Sequence, residues 1–249
     1  MENSGIYNDS GEAGATLARL VAGEIERMVA RCGVAVILFD SAPALAESYR
    51  RLSEADLPWT RVIGFQVAEW CGVGEDDPRA GRRVLLDSLV RRVAMAEFHS
   101  LRGEAANRPA VCANYGGLLA ARWRLLAPLT PLAVVTRGAD GQLGDPPLPG
   151  HPLDPLDPLD MGGPGDPGDP SEMNVIDDIT VPVVDRDQGV CICGEMTLGL
   201  TRALLRESER LVVRVASQPD RITQILRRRP GEGDEPLIAD RPCHDTSPR

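Results

Sequence analysis

The chain has 249 residues, enough for one α/β domain with a sizeable core, and aromatic residues are only 4% of it, so the core must be aliphatic. Its 37 acidic and 27 basic residues give a formal net charge of −10, and every basic residue is an arginine because the sequence contains no lysine. This acidic balance, with no basic run longer than the three arginines at 227–229, argues against nucleic acid as a partner.

Neither the cysteines nor the apolar segments indicate a metal site, a disulfide framework, a signal peptide or a membrane span. The six cysteines are scattered without a Cys-x-x-Cys pair, so the sequence predicts no zinc module and no disulfide framework. Residues 1–14 lack the basic flank and apolar centre of a signal peptide, and no apolar run reaches membrane-spanning length. We therefore expect a cytoplasmic protein with no metal, no cofactor and no membrane partner.

The first third of the chain alternates helical and strand patterns. Apolar residues at helical spacing run from 15 to 32, and a wholly apolar strand follows at 34–39. Asp40 or Ser41 is a suitable N-cap for a second helix over 43–52, and a buried strand is predicted at 62–67. This α-β-α-β order predicts right-handed crossovers over a parallel sheet.

The rest of the chain repeats this alternation around one segment of unusual composition. The predicted elements are helices over 79–93 and 110–126, strands at 97–102, 131–136, 179–184 and 190–193, a helix over 195–207, a strand at 211–215 and a helix over 220–228. Residues 145–172 contain a triple Pro-Leu-Asp repeat and a Gly/Pro/Asp tract in which every charged residue is acidic. Such a segment buries too little apolar surface to fold alone, so we predict a flexible insertion.

These patterns predict one folded domain over residues 15–241, with the acidic insertion inside it and disordered tails at 1–14 and 242–249. In a parallel α/β sheet, ligands bind beyond the carboxyl ends of the strands. Glu69 lies at that end of the strand predicted at 62–67. We therefore look for the ligand site among the residues that follow the apolar strands.

Five segments, in order along the chain, resemble motifs of the superfamily of glucosamine-6-phosphate deaminases and 6-phosphogluconolactonases. Residues 38–43 stand where those enzymes carry a Gly-Gly-Ser-Thr-Pro phosphate turn, and residues 59–70 resemble their Trp-x-x-Val-x-x-Phe-x-x-Asp-Glu segment. Residues 138–142 resemble Gly-x-Asp-Gly-His, residues 179–184 resemble Thr-Leu-Thr-Leu-Pro, and residues 194–197 resemble a Gly-x-x-Lys turn. The resemblance extends over residues 15–240 and implies an α/β fold: a doubly wound, mainly parallel Rossmann-like sheet with helices on both faces.

At the catalytic positions of that family, this chain keeps two acidic residues and loses two other groups. Ala68 stands where the deaminases have the aspartate that serves as base, whereas the adjacent Glu69 and the later Asp140 are retained. Gln142 replaces the histidine of its motif and can form hydrogen bonds but cannot relay a proton near neutral pH. The resemblance therefore implies that any acid or base in this chain is Asp140 or Glu69.

The phosphate-binding positions differ from the family as well. A phosphate turn depends on glycines whose amides approach the anion, but an apolar residue and Asp40 occupy both glycine positions here. Ser41 is retained, while the family's phosphate-binding lysine corresponds to Thr197. These residues and Gln142 are predicted to border the ligand site, where an arginine such as Arg137 is needed to compensate for the missing lysine.

Three functional hypotheses are compatible with these residues. The first is an enzyme without the standard activity, repurposed for a non-phosphorylated sugar-like or lactone-like small molecule. A pocket formed by Asp40, Glu69 and Asp140 would also suit an amine-bearing ligand. The second is a non-catalytic binding or assembly module that keeps the fold. The third, the sugar-sensing half of a repressor, is disfavoured because residues 1–14 are too short for a helix-turn-helix.

Overall fold

The computed structural model describes residues 5–7, 9–137, 191–193, 197–200, 202–215 and 222–232. The helices in these ranges are α1 (Ser10–Cys32), α2 (Ala46–Ser53), α3 (Gly81–Ser88), α4 (Arg108–Trp123) and α5 (Arg202–Glu207). The strands are β1 (Gly5–Ile6), β2 (Ala35–Phe39), β3 (Val62–Gln66), β4 (Ala68–Trp70), β5 (Glu97–His99), β6 (Leu132–Arg137), β7 (Cys191–Cys193), β8 (Thr197–Leu200), β9 (Glu209–Val215) and β10 (Ile222–Arg228). The acidic insertion predicted at 145–172 and the strand predicted at 179–184 lie outside the described residues.

Seven strands form one mixed sheet in the order β1-β10-β9-β6-β2-β3-β5. The strands from β9 to β5 are parallel to one another, and β10 and β1 extend the sheet with antiparallel pairing at one side. From β2 the chain proceeds to β3 and β5, then returns to β6 and β9, so the switch point lies between β2 and β6. The predicted doubly wound α/β fold is confirmed, as are the parallel neighbours β2, β3 and β6.

The central strands are continuous apolar runs because both of their faces are covered. Every residue of β2 and β3 is buried, and so are the first five residues of β6. Helix α1 packs against β2 and β10, while Tyr115 of α4 meets Phe65 of β3 edge-on at a ring distance of 5.5 Å. The few aromatic rings therefore lie between helices and sheet, and the aliphatic side chains fill the rest of the core.

A second, three-stranded antiparallel sheet has the order β4-β8-β7. A single residue separates β3 from β4. Strand β4 pairs with β8, which lies in a part of the chain predicted as a helix over 195–207. That helix prediction is wrong at 197–200, because these residues form β8 and pair with β4; α5 begins at Arg202. The helix predicted over 220–228 is also wrong, since these residues form β10, which pairs with β9 and β1.

Helix α1 begins earlier than its apolar pattern suggests. Asp9 is its N-cap, and the carboxylate accepts a hydrogen bond from Gly11 N–H at 2.9 Å. The expectation of a disordered segment over residues 1–14 is therefore wrong at Gly5–Ile6, which form β1, and from Ser10 onward. The helix ends at Gly33, whose φ of 75° is in the left-handed region that glycine adopts readily. Within the described residues, no helix has the length and apolarity needed to cross a bilayer.

Candidate functional site

The carboxyl ends of β2, β3 and β6 bring four predicted site residues to one edge of the main sheet. Asp40 and Ser41 directly follow β2, Glu69 lies in β4 just beyond β3, and Arg137 is the last residue of β6. Asp40 and Ser41 are 1% exposed and Glu69 is 0% exposed, so these three belong to the packed interior. Arg137 is partly exposed.

The Asp40 carboxylate joins the end of β2 to β6. Its Oδ2 accepts hydrogen bonds from the main-chain N–H of Thr136 at 2.6 Å and from Thr136 Oγ1 at 2.5 Å. Its Oδ1 accepts from Ala42 N–H at 3.1 Å, as in an Asx turn. The prediction of Asp40 or Ser41 as a helix N-cap is wrong, because the N-cap of the short helix at Pro43–Leu45 is Ala42, without a side-chain bond.

Tyr49 of α2 holds the same turn from the helix side. Its hydroxyl donates to the main-chain oxygen of Asp40 at 2.7 Å, and its ring meets Phe39 edge-on at 5.5 Å. Burial raises the pKa of Tyr49 well above its ordinary value, and the nearby charge of Asp40 adds to this effect. Tyr49 is therefore a protonated donor at neutral pH, and it fixes the main chain on which the Asp40 side chain depends.

Glu69 is hydrogen-bonded on both carboxylate oxygens. Its Oε1 accepts from the main-chain N–H groups of Trp70 and Gly81, each at 2.9 Å. Its Oε2 accepts from Arg82 N–H at 2.8 Å and from the Gln66 amide at 3.0 Å. An ionised carboxylate has about four acceptor positions, so these donors leave none for a substrate. Glu69 fixes the N-terminus of α3, where the helix dipole favours a negative charge, and its catalytic role stays a prediction that these contacts do not support.

Ser41 packs directly against the first residue of α3. Its hydroxyl donates to the main-chain oxygen of Ala68 at 3.2 Å. A Cβ placed on Gly81 would lie 2.3 Å from Ser41 Oγ and 3.4 Å from Glu69 Oε1. The absence of a side chain at Gly81 therefore allows α3 to approach this edge closely, and the predicted convergence of Ser41 and Glu69 is confirmed.

Gln66 and Tyr115 complete this edge, although the sequence analysis singled out neither. Gln66 is fully buried; its amide donates to Ala68 O at 2.8 Å, and its Oε1 accepts from Leu101 N–H at 3.1 Å. The hydroxyl of Tyr115 lies 2.5 Å from the main-chain oxygen of Gln66 and 3.2 Å from that of His99. The available signal was a single polar residue at the end of an otherwise apolar strand.

Arg82 and Glu104 form an ion pair next to Glu69. The side chain of Arg82 is 3% exposed, and its two terminal nitrogens lie 3.2 and 3.0 Å from the two carboxylate oxygens of Glu104. Burial opposes ionisation of Glu104, but hydrogen bonds from its own main-chain N–H and from Arg82 lower its pKa overall. The pair therefore ties α3 to the loop that follows β5.

Two predicted site positions lie in the small sheet. Ala68, which corresponds to the base of the deaminases, is 5% exposed in β4 and pairs with Gly199. Thr197 begins β8 and pairs with Trp70, whereas residues 194–196 of the predicted turn lie outside the described residues. The equivalence of Thr197 with the family's lysine stays a prediction.

Arg137 is the cation that the sequence places at this edge. It pairs with Arg214 of β9, and among the described residues no carboxylate lies within ion-pair distance of it. Asp140 and Gln142, which were predicted to follow it in the site, lie outside the described residues. Their roles stay predictions.

The described part of the chain holds no group of three or more His, Cys, Asp or Glu side chains that suits a metal ion. Several of its carboxylates pair with arginine side chains. Glu97 at the start of β5 binds Arg122 of α4 at 2.8 Å and His99 Nε2 at 2.8 Å. The hydrogen bond with Arg122 lowers the pKa of Glu97, and the bond with His99 adds to this effect.

No protein-family profile matches the chain, and no curated protein is significantly similar to it. Several solved structures do match. The 6-phosphogluconolactonase from Leishmania guyanensis is 14% identical, with 85% of this chain and 81% of that chain covered and a TM-score of 0.58. The enzyme from Trypanosoma brucei is 13% identical, with the same 85% and 81% covered and a TM-score of 0.55.

A putative 6-phosphogluconolactonase from Neisseria gonorrhoeae is 15% identical, with 83% of this chain and 80% of that chain covered and a TM-score of 0.54. At such low identities, structural similarity establishes the fold and leaves the chemistry to the site residues. The motifs in the sequence and the strand order of the structure lead to the same result. The chain therefore has the α/β fold of the 6-phosphogluconolactonases.

Proposed function

We propose that this chain is a divergent relative of the sugar-phosphate deaminases and lactonases that lacks their standard activity and acts on a non-phosphorylated sugar-like or lactone-like small molecule. The observation that carries the proposal is the Asp40 carboxylate. It accepts hydrogen bonds from Thr136 and Ala42 at the turn after β2, the position that corresponds to the family's phosphate turn. A ligand phosphate at this turn would compete with the Asp40 carboxylate for the Ala42 N–H.

Electrostatics supports the same conclusion. At an effective dielectric constant of about 20, two like charges about 4 Å apart repel by roughly 4 kcal/mol. Asp40 is 1% exposed, so little water is available to screen this repulsion. A phosphate dianion at this turn would meet the Asp40 charge and find its donors already occupied.

The acid–base groups support the loss of the standard reactions. Ala68 has no proton to exchange, and the oxygens of Glu69 accept from four N–H donors. Asp140 is thus the remaining candidate acid or base, and Arg137 and Gln142 are the remaining candidate ligand contacts. A non-phosphorylated sugar-like or lactone-like molecule fits this set better than a phosphate ester does.

The burial at this edge favours a second candidate function, a non-catalytic binding or assembly module. Asp40 links β2 to β6, Glu69 links β4 to α3, and Ser41 packs against Gly81. All three predicted site residues thus serve the packing of the fold. A module that needs only the fold would keep them for this reason.

Turnover assays separate the standard activities from the proposal. We expect ammonia release from glucosamine 6-phosphate and disappearance of 6-phosphogluconolactone to stay near background, after correction for spontaneous hydrolysis. The reason is the loss of two acid–base groups, each typically worth about 10²–10⁴-fold in rate. Robust turnover of either substrate by the unmodified protein would contradict the proposal.

Variants test whether these substitutions cause the absence of the standard turnover. Ala68→Asp combined with Gln142→His should not restore turnover, because the substrate phosphate would still meet Asp40. Adding both Asp40→Gly and Thr197→Lys to this pair removes the negative charge and supplies a counter-charge for the phosphate, so this variant is the one expected to give measurable turnover. The same assay with δ-gluconolactone distinguishes the two candidate functions: faster disappearance of this neutral lactone supports an enzyme, whereas binding without turnover supports a module.

A further inference from the structure

Three polar side chains form a row across β6, β9 and β10. Arg137 is the register partner of Arg214, and Arg214 is the register partner of Gln224. Register partners on neighbouring strands project to the same face of a sheet, about 4.8 Å apart. All three residues are partly buried, and Arg137 and Arg214 lie at the carboxyl ends of their parallel strands.

Many of the partly buried arginines in the described structure contact a carboxylate, whereas the fully buried Arg210 donates to the main-chain oxygens of Leu205 and Glu232. Four other arginines that are largely buried each contact a glutamate: Arg27, Arg82, Arg122 and Arg227. Among the described residues, no carboxylate lies within ion-pair distance of Arg137 or Arg214. Like charges placed directly opposite on neighbouring strands destabilise a sheet. Since acidic residues outnumber basic ones, 37 to 27, carboxylates are not scarce in this chain.

Asp40 contacts the strand that carries Arg137, but it forms no ion pair with that arginine in the described structure. It bonds the side chain of Thr136, the residue before Arg137. Successive side chains of a strand point to opposite faces of the sheet, so Thr136 and Arg137 face opposite ways. The arginine pair is therefore separate from the Asp40 turn.

We propose that Arg137 and Arg214 together bind the carboxylate of a small acidic ligand, with Gln224 as a neutral hydrogen-bonding neighbour. Each guanidinium presents a planar fork of N–H donors that matches two oxygens of such a group. An oxyanion between two like charges also removes their repulsion. The inference rests on the proposed function for the small, sugar-like nature of the ligand, and it adds an acidic group to it.

The test measures binding and not turnover, so that it can fail separately from the proposed function. The full chain is titrated with sodium gluconate, which supplies a carboxylate, and with sodium phosphate, each against sodium chloride at matched ionic strength. We expect gluconate to raise the thermal midpoint above the chloride control and more than phosphate does, and calorimetry to give the dissociation constant. Stronger stabilisation by phosphate than by gluconate would contradict a carboxylate ligand.

Two variants and a control assign the site. Arg137→Gln or Arg214→Gln should weaken binding about 10- to 100-fold, the loss of a charged hydrogen bond. Without the anion, neither variant should be less stable than the unmodified protein, because one of two repelling charges is gone. Arg61→Gln, at an exposed arginine beside the amino end of β3, should bind as the unmodified protein does.

Two results would overturn the inference. One is that gluconate and phosphate stabilise the protein no more than chloride does, or that all three variants bind equally well. The other is that the unmodified protein does not bind the anions whereas a chain lacking residues 145–172 does. That result would mean that acidic residues of the chain itself, and not a ligand, bind the arginine pair.

Discussion

Replacement of Glu69 by glutamine tests whether this carboxylate is structural or catalytic. The carboxylate accepts four N–H hydrogen bonds, two on each oxygen, and Glu69 is 0% exposed. The glutamine amide keeps one oxygen but places an NH₂ group against the two donors of the other. Two buried donors therefore lose their acceptor, and the substitution removes the charge at the N-terminus of α3.

The size of the effect follows from these bonds. A hydrogen bond to a charged group contributes about 1.5–3 kcal/mol, so two lost bonds amount to about 3–6 kcal/mol. A typical domain is stable by only about 5–15 kcal/mol. We expect Glu69→Gln to remove a large part of the free energy of unfolding, seen as a lower urea midpoint at an unchanged slope.

A matched substitution controls for the change of charge. Glu75 is also in the carboxyl-edge loops, but its side chain is 55% exposed and lies 3.8 Å from Arg91. Glu75→Gln should change the free energy of unfolding by about 0.5 kcal/mol or less. If Glu69→Gln were as mild as this control, the structural role of Glu69 would be refuted. A stable Glu69→Gln variant that loses turnover of a lactone would restore the catalytic prediction.

Two further predictions concern packing and pH. Gly81→Ala should destabilise the protein by about 1–3 kcal/mol in urea unfolding, because the new Cβ would lie 2.3 Å from Ser41 Oγ. The control, Gly117→Ala, places its Cβ where no atom lies within 4 Å and should stabilise α4 by about 1 kcal/mol. The pKa of Glu97 is lowered by Arg122, so this pair stabilises the fold above the ordinary Glu97 value of 4.5 and ceases to do so as pH falls through the folded-state pKa. Arg122→Gln should therefore lower the thermal midpoint near pH 7 and have little effect at low pH; an equal loss at both would contradict this assignment.

The central strands could be predicted from the sequence because their signal is local. A run of apolar residues of strand length has few alternatives to a buried strand, and β2, β3 and β6 are such runs. Parallel pairing followed from the helices between them. The site residues at their ends followed as well, since the carboxyl ends of parallel strands meet at one edge.

Strand β10 could not be predicted in this way. Ile222, Ile225 and Leu226 have the spacing of one helical face, and the interpretation as a helix used that spacing. In the structure, the register with β9 shifts between Ile222 and Gln224, so the alternation of a regular strand is broken there. Pairing with β9 and β1 overrides the local pattern, and a partner distant in sequence leaves no local signal.

The hydrogen-bond partners of the carboxylates could not be predicted from the sequence either. The motifs locate Asp40 and Glu69 at the edge of the sheet, but they do not say which donors these side chains meet. Asp40 meets donors of β6 and Glu69 meets two donors of α3, through contacts such as Thr136 N–H and Gly81 N–H that exist only once the chain has folded. Composition and periodicity thus predict where the polar groups lie along the fold, whereas long-range packing decides which hydrogen-bond partners they meet. In this chain, most of the hydrogen bonds of Asp40 and Glu69 are made to other parts of the protein.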